Sequence, residues 1–354
     1  MDAFVKSSLF KAPSLQHVAI PTVGHLHQHY LDIPANATCE VFLKVYTSSV
    51  NPSDLHPRIS NDDYPKALGS DAAGLIVNVS TAPGCGQRLK IGDRVWGDIG
   101  ANTKTAGGKT KELGGYAQYA VALEAQLAKI PPAMGYAEAG ALPKVALTSY
   151  KAYKWYAASA SWPINASVLV LGGSGGCGTT GIQLAKRLGK GQVHVTTTTS
   201  AANAAYVKSL GADRSIDYHT LDWWAPDVIA DDSIDVIYDT VGQAGTGARA
   251  MAKLKEGGHY VTITGALAPK VRAGRHQAMF INSDTNLASA PLLEELNQLN
   301  VRMPKLDSTF ALADVAKAFA RSETGHAVGK ISIKVRDEWR WSATSAKWVP
   351  FDDM

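Results

Sequence analysis

The chain has 354 residues, which at about 150 residues per domain points to roughly two domains. Its 45% hydrophobic and 19% charged residues match an ordinary globular composition and exclude a disordered chain. The 35 Lys+Arg against 31 Asp+Glu leave a scattered net charge of +4 with no basic block, so nucleic acid is not an expected partner. No apolar run has the length of a membrane helix, and residues 1–10 lack the apolar segment of a signal peptide. Cys39, Cys85 and Cys177 lie far apart. That spacing predicts neither a disulfide framework nor a cysteine-rich zinc lobe, and it fits a reducing, cytoplasmic location.

The first 130 residues read as β-rich. Short apolar runs (Val41 to Val45, Leu75 to Val79) are broken by turn formers at Asn51-Pro52, Pro83-Gly84, Gly92-Asp93 and Gly114-Gly115. Residues 98–115 are rich in Gly, Thr and Lys and read as a long surface loop. Tyr136 to Ala158 has helical spacing, and Ser167 to Leu171 is a continuous apolar run of the kind that forms a parallel strand covered on both faces. A helix at Gly181 to Leu188 and a strand at Val193 to Thr197 follow. Further helices are expected at Ala202 to Leu210 and Thr246 to Leu254, with strands at Ile234 to Tyr238 and His259 to Ile263. This alternation predicts an α/β Rossmann domain with a doubly wound parallel sheet. Helices at Pro291 to Leu299 and Ala313 to Arg321 and a strand at Lys330 to Val335 close the pattern.

Between the first parallel strand and its helix lies Gly172-Gly173-Ser174-Gly175-Gly176-Cys177-Gly178. Residues 173–178 fit G-x-G-x-x-G, with glycines for the tight turn, for approach of a pyrophosphate and for close packing of helix on strand. The helix N-terminus then offers unpaired N–H groups to an anion. The pattern alone is weak, but the strand–turn–helix context is present. An NAD site places an acid about 20 residues on. Here Thr196 to Asn203 contains none, so a 2′-phosphate is not repelled, and the hydroxyls of Thr199 and Ser200, with Lys208 and Tyr218, are candidates to receive it. NADPH is therefore the expected cofactor.

Motifs in register along residues 1–335 extend this reading. They are Ser49-Val50-Asn51-Pro52-Ser53-Asp54, Leu68-Gly69-Ser70-Asp71-Ala72-Ala73-Gly74 and Ile91-Gly92-Asp93-Arg94-Val95-Trp96-Gly97. Gly115-Tyr116-Ala117-Gln118-Tyr119, Ala141-Leu142-Pro143, Ala146-Leu147-Thr148-Ser149-Tyr150 and Leu210-Gly211-Ala212-Asp213 follow. Ile216-Asp217-Tyr218, Asp239-Thr240-Val241-Gly242, Gly257-Gly258 and Gly329-Lys330 complete them. In these motifs the chain resembles the medium-chain dehydrogenase/reductase superfamily, in its zinc-independent quinone oxidoreductase and enoyl reductase branch. The resemblance implies a GroES-like β-rich catalytic domain, residues 1–130 plus 284–354, with a Rossmann domain, residues 131–283, inserted into it and an active site in the cleft between them. It also implies cofactor contacts from Thr148, Val241, Gly265, Phe280, Ile281 and Lys330, beside the turn residues Gly173 to Gly178.

Zinc-dependent members of that superfamily hold their metal with Cys, His and Cys; the resemblance puts Asn51, Ser70 and Lys144 at those positions, and none is an ordinary zinc ligand. No metal is therefore expected. Asn51, as an oxyanion donor, and Lys144, as an ammonium whose pKa desolvation lowers for proton donation, are the catalytic candidates. Lys144 equally suits a cofactor phosphate or a snorkelling role. Tyr64 and His56 are further proton-donor candidates, Asp54 is expected to fix its loop, and Asp93 to bond backbone N–H groups in a turn. His25, His27 and His29 read as surface imidazoles, and Cys177 as a small filler of the phosphate turn. The expected activity is hydride transfer from NADPH to an α,β-unsaturated carbonyl or a quinone, with a homodimer possible. The alternative is an NADPH-binding sensor or scaffold of the same fold with little turnover. Three of the eight Trp (Trp339, Trp341, Trp348) fall in residues 337–354, beyond the family pattern, and that tail is expected to pack back on the chain or on a second subunit.

Overall fold

The structure is a computed structural model that describes residues 1–7, 11–24, 39–55, 66–100, 114–159, 162–280, 288–303, 305–337, 339–342 and 347–350, the last two segments by their backbone. Tyr64, Ile281, His56, His25, His27 and His29 lie outside the described residues. The chain divides into two compact units: Met1–Lys144 with Ser283–Gln298 and Arg302–Met354, and Val145–Asn282 with Leu299–Val301.

The first unit begins with strands β1 (Asp2–Lys6), β2 (Ser14–His17), β3 (Glu40–Ser49), β4 (Lys66–Ala67), β5 (Asp71–Val79), β6 (Arg94–Asp98), β7 (Tyr119–Leu123) and β8 (Leu127–Lys129). Along β3 the residues alternate: Val41, Leu43 and Val45 are buried, while Phe42, Lys44 and Tyr46 are half-exposed. The inward set packs with Ala72, Ile76, Val95, Ala120 and Leu127 into one core, and each buried Val or Leu there contributes about 1.5–3 kcal/mol. Helix α1 (Pro52–Leu55) follows β3, with Pro52 in the first turn, where its missing N–H costs nothing. The helix expected over 136–158 is three pieces: α2 (Tyr136–Ala141), α3 (Pro143–Lys151) and a π-helical turn, Ala152–Tyr156. Pro143 cannot continue α2 but can start α3. α2 packs on β3, where Thr47 Oγ1 donates to Tyr136 O (2.5 Å) and the rings of Tyr46 and Tyr136 stack at 4.3 Å.

The second unit holds β9 (Ser167–Leu171), α4 (Gly176–Leu188), β10 (His194–Thr199), α5 (Ala204–Ser209), β11 (Arg214–Asp217), β12 (Ile234–Asp239), α6 (Thr246–Lys253), β13 (Leu254–Thr262) and β14 (His276–Met279). All six strands pair in parallel, in the order β11-β10-β9-β12-β13-β14. Counted within the unit that order is 3-2-1-4-5-6, the dinucleotide-binding arrangement, whose ligand crevice lies where the order reverses, at the ends of β9 and β12. The Gly-rich turn follows β9, at that switch point.

The chain then forms α7 (Ala290–Gln298), β15 (Leu306–Ala311), α8 (Val315–Glu323) and β16 (Lys330–Lys334) in the first unit. β16 pairs antiparallel with β3 and completes a seven-stranded sheet, β15-β16-β3-β5-β6-β8, with β7 also on β3. The tail forms a hairpin, β17 (Trp339–Ser342) and β18 (Lys347–Pro350), with Trp341 opposite Trp348.

One expectation is corrected. Cys39 and Cys85 form a disulfide across 46 residues of sequence. β3 and β5 run antiparallel with Val41 opposite Val79, which brings the residue before β3 beside the turn after β5. Sequence spacing hides that closeness; strand pairing creates it. Cys177 is the free thiol among the described residues.

Candidate active site

The nucleotide side of the site is built on the β9–α4 turn. Gly172 has φ +81°, a left-handed conformation that a side chain resists. A Cβ on Gly173 would overlap Thr197 Oγ1, and one on Gly178 would overlap Gly172 O, so both glycines are required by the protein itself. Gly175 differs. Its φ of −77° suits any residue, and the nearest protein atom to an added Cβ is Gly172 O at an ordinary 3.6 Å. Nothing in the protein demands glycine at 175, and the space beside it is open. α4 starts there with no side-chain cap on its first turn, as suits a helix N-terminus that receives an anion. This cradle fits a pyrophosphate.

At the end of β10, Thr199 is buried, with a hydroxyl that has no hydrogen-bond partner among the described residues. Ser200 is half-exposed and accepts from Asn203 Nδ2 (3.1 Å), and the exposed Tyr218 is tied to the same point by its N–H to Thr199 O (3.3 Å). The structure thus brings Thr199, Ser200 and Tyr218 together, with Asp217 opposite Thr199 at the end of the neighbouring strand β11. At the end of β12, the buried Asp239 accepts from the N–H groups of Val241 (2.9 Å) and Gly242 (3.0 Å) and from Tyr260 Oη (2.8 Å). That leaves the Val241 side chain exposed beside the turn. Gly265 has φ +95°, and Phe280 is buried, with its N–H on Thr262 O and its ring against Tyr156 at 5.1 Å. Cys177 O accepts from Ser149 Oγ (3.0 Å), which also bonds Thr180 Oγ1 (2.9 Å) and Tyr238 Oη (3.1 Å). Burial and then the adjacent Cys177 push the Tyr238 hydroxyl well above its ordinary range. Cys177 is therefore part of a hydrogen-bonded support for the turn, beyond the apolar filler expected. Thr148 is buried on α3, one turn after Lys144 and on the same helix face.

The candidate catalytic residues Asn51 and Lys144 lie within the first unit, around two carboxylates. Asp71 opens β5 and Asp98 closes β6, directly opposite each other in the ladder. Asp71 Oδ2 accepts from Ser49 Oγ (2.6 Å) and Asn51 Nδ2 (2.8 Å), and its Oδ1 from the Lys144 N–H (2.7 Å). Lys144 Nζ sits 2.6 Å from Asp98 Oδ2. Asp54 accepts from the N–H groups of Asn51 (3.0 Å) and Ser70 (3.0 Å), from Ser70 Oγ (2.5 Å) and from Tyr116 Oη (2.8 Å). Asn51, Ser70 and Lys144 are thus joined in one buried network through Asp54 and Asp71. Burial raises the Asp54 carboxyl above its ordinary value against the lowering effect of its Ser70 and Tyr116 bonds. Its role is the loop fixing expected, and Asp93 likewise accepts the Lys90 N–H in its turn (2.8 Å).

One expectation changes here, the direction in which the Lys144 pKa moves. Desolvation pulls the Lys144 ammonium down, but Asp98, with help from Asp71 and Asp54, outweighs it and holds the pKa above the ordinary lysine value. Lys144 is therefore a fixed cation rather than a readily released proton. Lys330 is buried and donates to Val50 O (2.7 Å) and Asn51 Oδ1 (2.8 Å), with Asp71 at 3.5 Å. The Asn51 amide, gripped by Lys330 on its oxygen and Asp71 on its nitrogen, has its flip fixed and its best donor direction used internally. It orients the network. Asp71 and Asp98 are the residues that sequence reasoning missed as site members; the one signal was an acid at the end of a run rich in apolar residues (Asp71 before Ala72-Ala73-Gly74-Leu75, Asp98 after Val95-Trp96-Gly97).

An open Gly-rich turn at a parallel-sheet switch point in one unit, and a buried polar network in a β-rich unit, are the features of a dinucleotide-dependent oxidoreductase. Residues 37–132 match the family described as "Alcohol dehydrogenase GroES-like domain", and residues 210–333 the one described as "Zinc-binding dehydrogenase". A "2-methylene-furan-3-one reductase" of Solanum lycopersicum is 35% identical over 83% of this chain and 71% of its own length. A "NADPH-dependent alkenal/one oxidoreductase, chloroplastic" of Arabidopsis thaliana is 32% identical over 85% and 73%. The quinone oxidoreductase structure from Coxiella burnetii superposes with a TM-score of 0.70 at 25% identity, over 95% of this chain and 98% of that one. The chain belongs to the medium-chain dehydrogenase/reductase superfamily, in its zinc-independent quinone, enone and enoyl reductase branch.

Proposed function

We propose that the protein is an NADPH-dependent reductase of α,β-unsaturated carbonyls or quinones that works without zinc. The observation that carries this reading is the Lys144–Asp98 ion pair at a position where zinc-dependent relatives hold a ligand. An ammonium on a carboxylate, an amide on a carboxylate and a hydroxyl on a carboxylate are not a zinc donor set. Without a Lewis acid to stabilise an alkoxide, alcohol oxidation loses its main device. An electrophilic alkene or quinone is already polarised for reduction.

Bound NADPH supplies a hydride for the electron-poor carbon of the acceptor. Gly175 and the first turn of α4 would hold its pyrophosphate, Thr199, Ser200 and Tyr218 would receive its 2′-phosphate, and Thr148 would contact its nicotinamide. Lys144, held charged by Asp98, stabilises the oxyanion that develops on the acceptor oxygen. Asn51 and Asp71 keep the Lys144 backbone in place, and the proton that completes an enone reduction comes from solvent. The names of the tomato and Arabidopsis relatives support both the cofactor and the acceptor class.

The test is NADPH and NADH oxidation by the purified protein against a panel of enones, enals and quinones, with NADPH fluorescence measured in parallel. Oxidation of NADPH in preference to NADH by at least one acceptor is expected. Tight NADPH binding with no acceptor turned over would replace this reading with the sensor or scaffold alternative.

A further inference from the structure

The two carboxylates that hold Lys144 face each other across neighbouring strands. Directly opposed like charges are unfavourable in a sheet, and both groups are fully buried. They persist because each meets a cation: Lys144 Nζ lies 2.6 Å from Asp98 and Lys330 Nζ 3.5 Å from Asp71. The two acids also grip Lys144 at two points, Asp71 at its backbone N–H (2.7 Å) and Asp98 at its ammonium. That double grip fixes where the ammonium stands. A small part of the Lys144 side chain, 11%, stays exposed. Among the described residues, the titratable groups acting on Lys144 are Asp98 on β6, Asp71 on β5 and Asp54 on α1, with Lys330 on β16 against Asp71.

The geometry points to Asp98 as the positioning residue of the reaction: it sets the place and the charge of Lys144, and Lys144 meets the acceptor oxygen. This inference rests on the reductase reading above. It makes a specific statement about acceptors as well. A lysine kept as an ammonium does not condense with an aldehyde, because only the free amine attacks a carbonyl. Enals are therefore reduced at this site without forming a Schiff base on Lys144.

Three variants and two readouts test it. The first readout needs no turnover: acylation of Lys144 by acetic anhydride, followed by peptide mass spectrometry, with the exposed Lys317 as internal control. In the wild type, Lys144 is expected to label slowly up to about pH 9. Asp98→Asn removes the largest opposition to desolvation and leaves only the weaker pull of Asp71 and Asp54, so labelling rises at least tenfold at that pH, the change for about one unit of pKa, while Lys317 is unchanged. The second readout is the pH profile of kcat. The wild-type profile is expected to stay flat through about pH 9 and that of Asp98→Asn to fall on the alkaline side, as the neutral amine takes over. Lys144→Arg, always charged, keeps kcat within about tenfold of wild type, and Lys144→Met loses more than about thirtyfold with NADPH affinity unchanged.

Unchanged Lys144 labelling in Asp98→Asn overturns the proposal. Equal losses in Lys144→Arg and Lys144→Met also overturn it, and that pair decides the matter if Asp98→Asn does not fold. A wild-type protein that reduces no acceptor sinks the reductase reading instead, and the labelling arm still reports whether Asp98 governs the lysine's charge.

Discussion

Replacing Gly175 by Ala separates a glycine kept for the fold from one kept for a ligand. The backbone at 175 is extended, with φ −77° and ψ 174°, and the added methyl would lie 3.6 Å from its nearest protein neighbour, Gly172 O. Folding therefore costs nothing there, and the stiffer unfolded chain makes Gly175→Ala about 0.4–1 kcal/mol more stable. Binding changes the other way. The methyl occupies the space that a pyrophosphate needs to reach the first-turn N–H groups, and losing one charge-assisted hydrogen bond costs about 1.5–3 kcal/mol. That corresponds to roughly a 10- to 150-fold rise in the Kd for NADPH. Gly178→Ala is the control: its Cβ would overlap Gly172 O, so the protein itself loses about 1–3 kcal/mol through overpacking. Thermal melting and NADPH fluorescence titration of both variants provide the assay. Unchanged NADPH affinity in Gly175→Ala would refute the assignment of the cradle, whatever its effect on stability.

The absence of an acid at the end of β10 predicts that Ser200→Asp weakens NADPH at least about tenfold by repelling the 2′-phosphate, while NADH binding holds or improves; Kd values for both cofactors check it. The disulfide closes a separation of 46 residues, so its reduction is expected to cost about 4 kcal/mol in the chain-entropy account. Melting with and without reductant, and a count of one free thiol in the denatured, unreduced chain, test that; three free thiols would contradict it. The Lys144–Asp98 pair also fixes a pH dependence of stability. The pKa of Lys144 is raised in the folded state, so its contribution is complete below the ordinary lysine value and is lost as pH rises through the folded value. Denaturant unfolding should show the gap between wild type and Lys144→Met constant through neutral pH and narrowing only in strong alkali.

The parts of the fold legible in the sequence were those whose physics is local. β9 is a continuous apolar run, Val168 to Leu171, as suits a buried parallel strand, and the Gly-rich turn announced itself by composition. α4 begins at Gly176, five residues before its expected start, because three weak helix formers are tolerated where tight packing and an open N-terminus require them. β14 and β15 gave no signal: their residues are largely half-exposed and mixed in polarity, and partner strands rather than propensity make them strands. The catalytic network was least legible. Asn51, Asp71, Asp98, Lys144 and Lys330 come from separate strands, loops and a helix, and the charge that a lysine keeps depends on which acid the sheet places against it. Reading Lys144 alone gave a depressed pKa; reading it opposite Asp98 reverses the sign.

The central claim is reduction of an electrophilic double bond without a metal, and deuterium tracing with NADPH labelled at C4 tests it most directly. With a small enone as acceptor and a zinc chelator present, the account predicts one deuterium on the carbon β to the carbonyl and undiminished turnover. Deuterium on a carbinol carbon, or turnover abolished by the chelator, would contradict it.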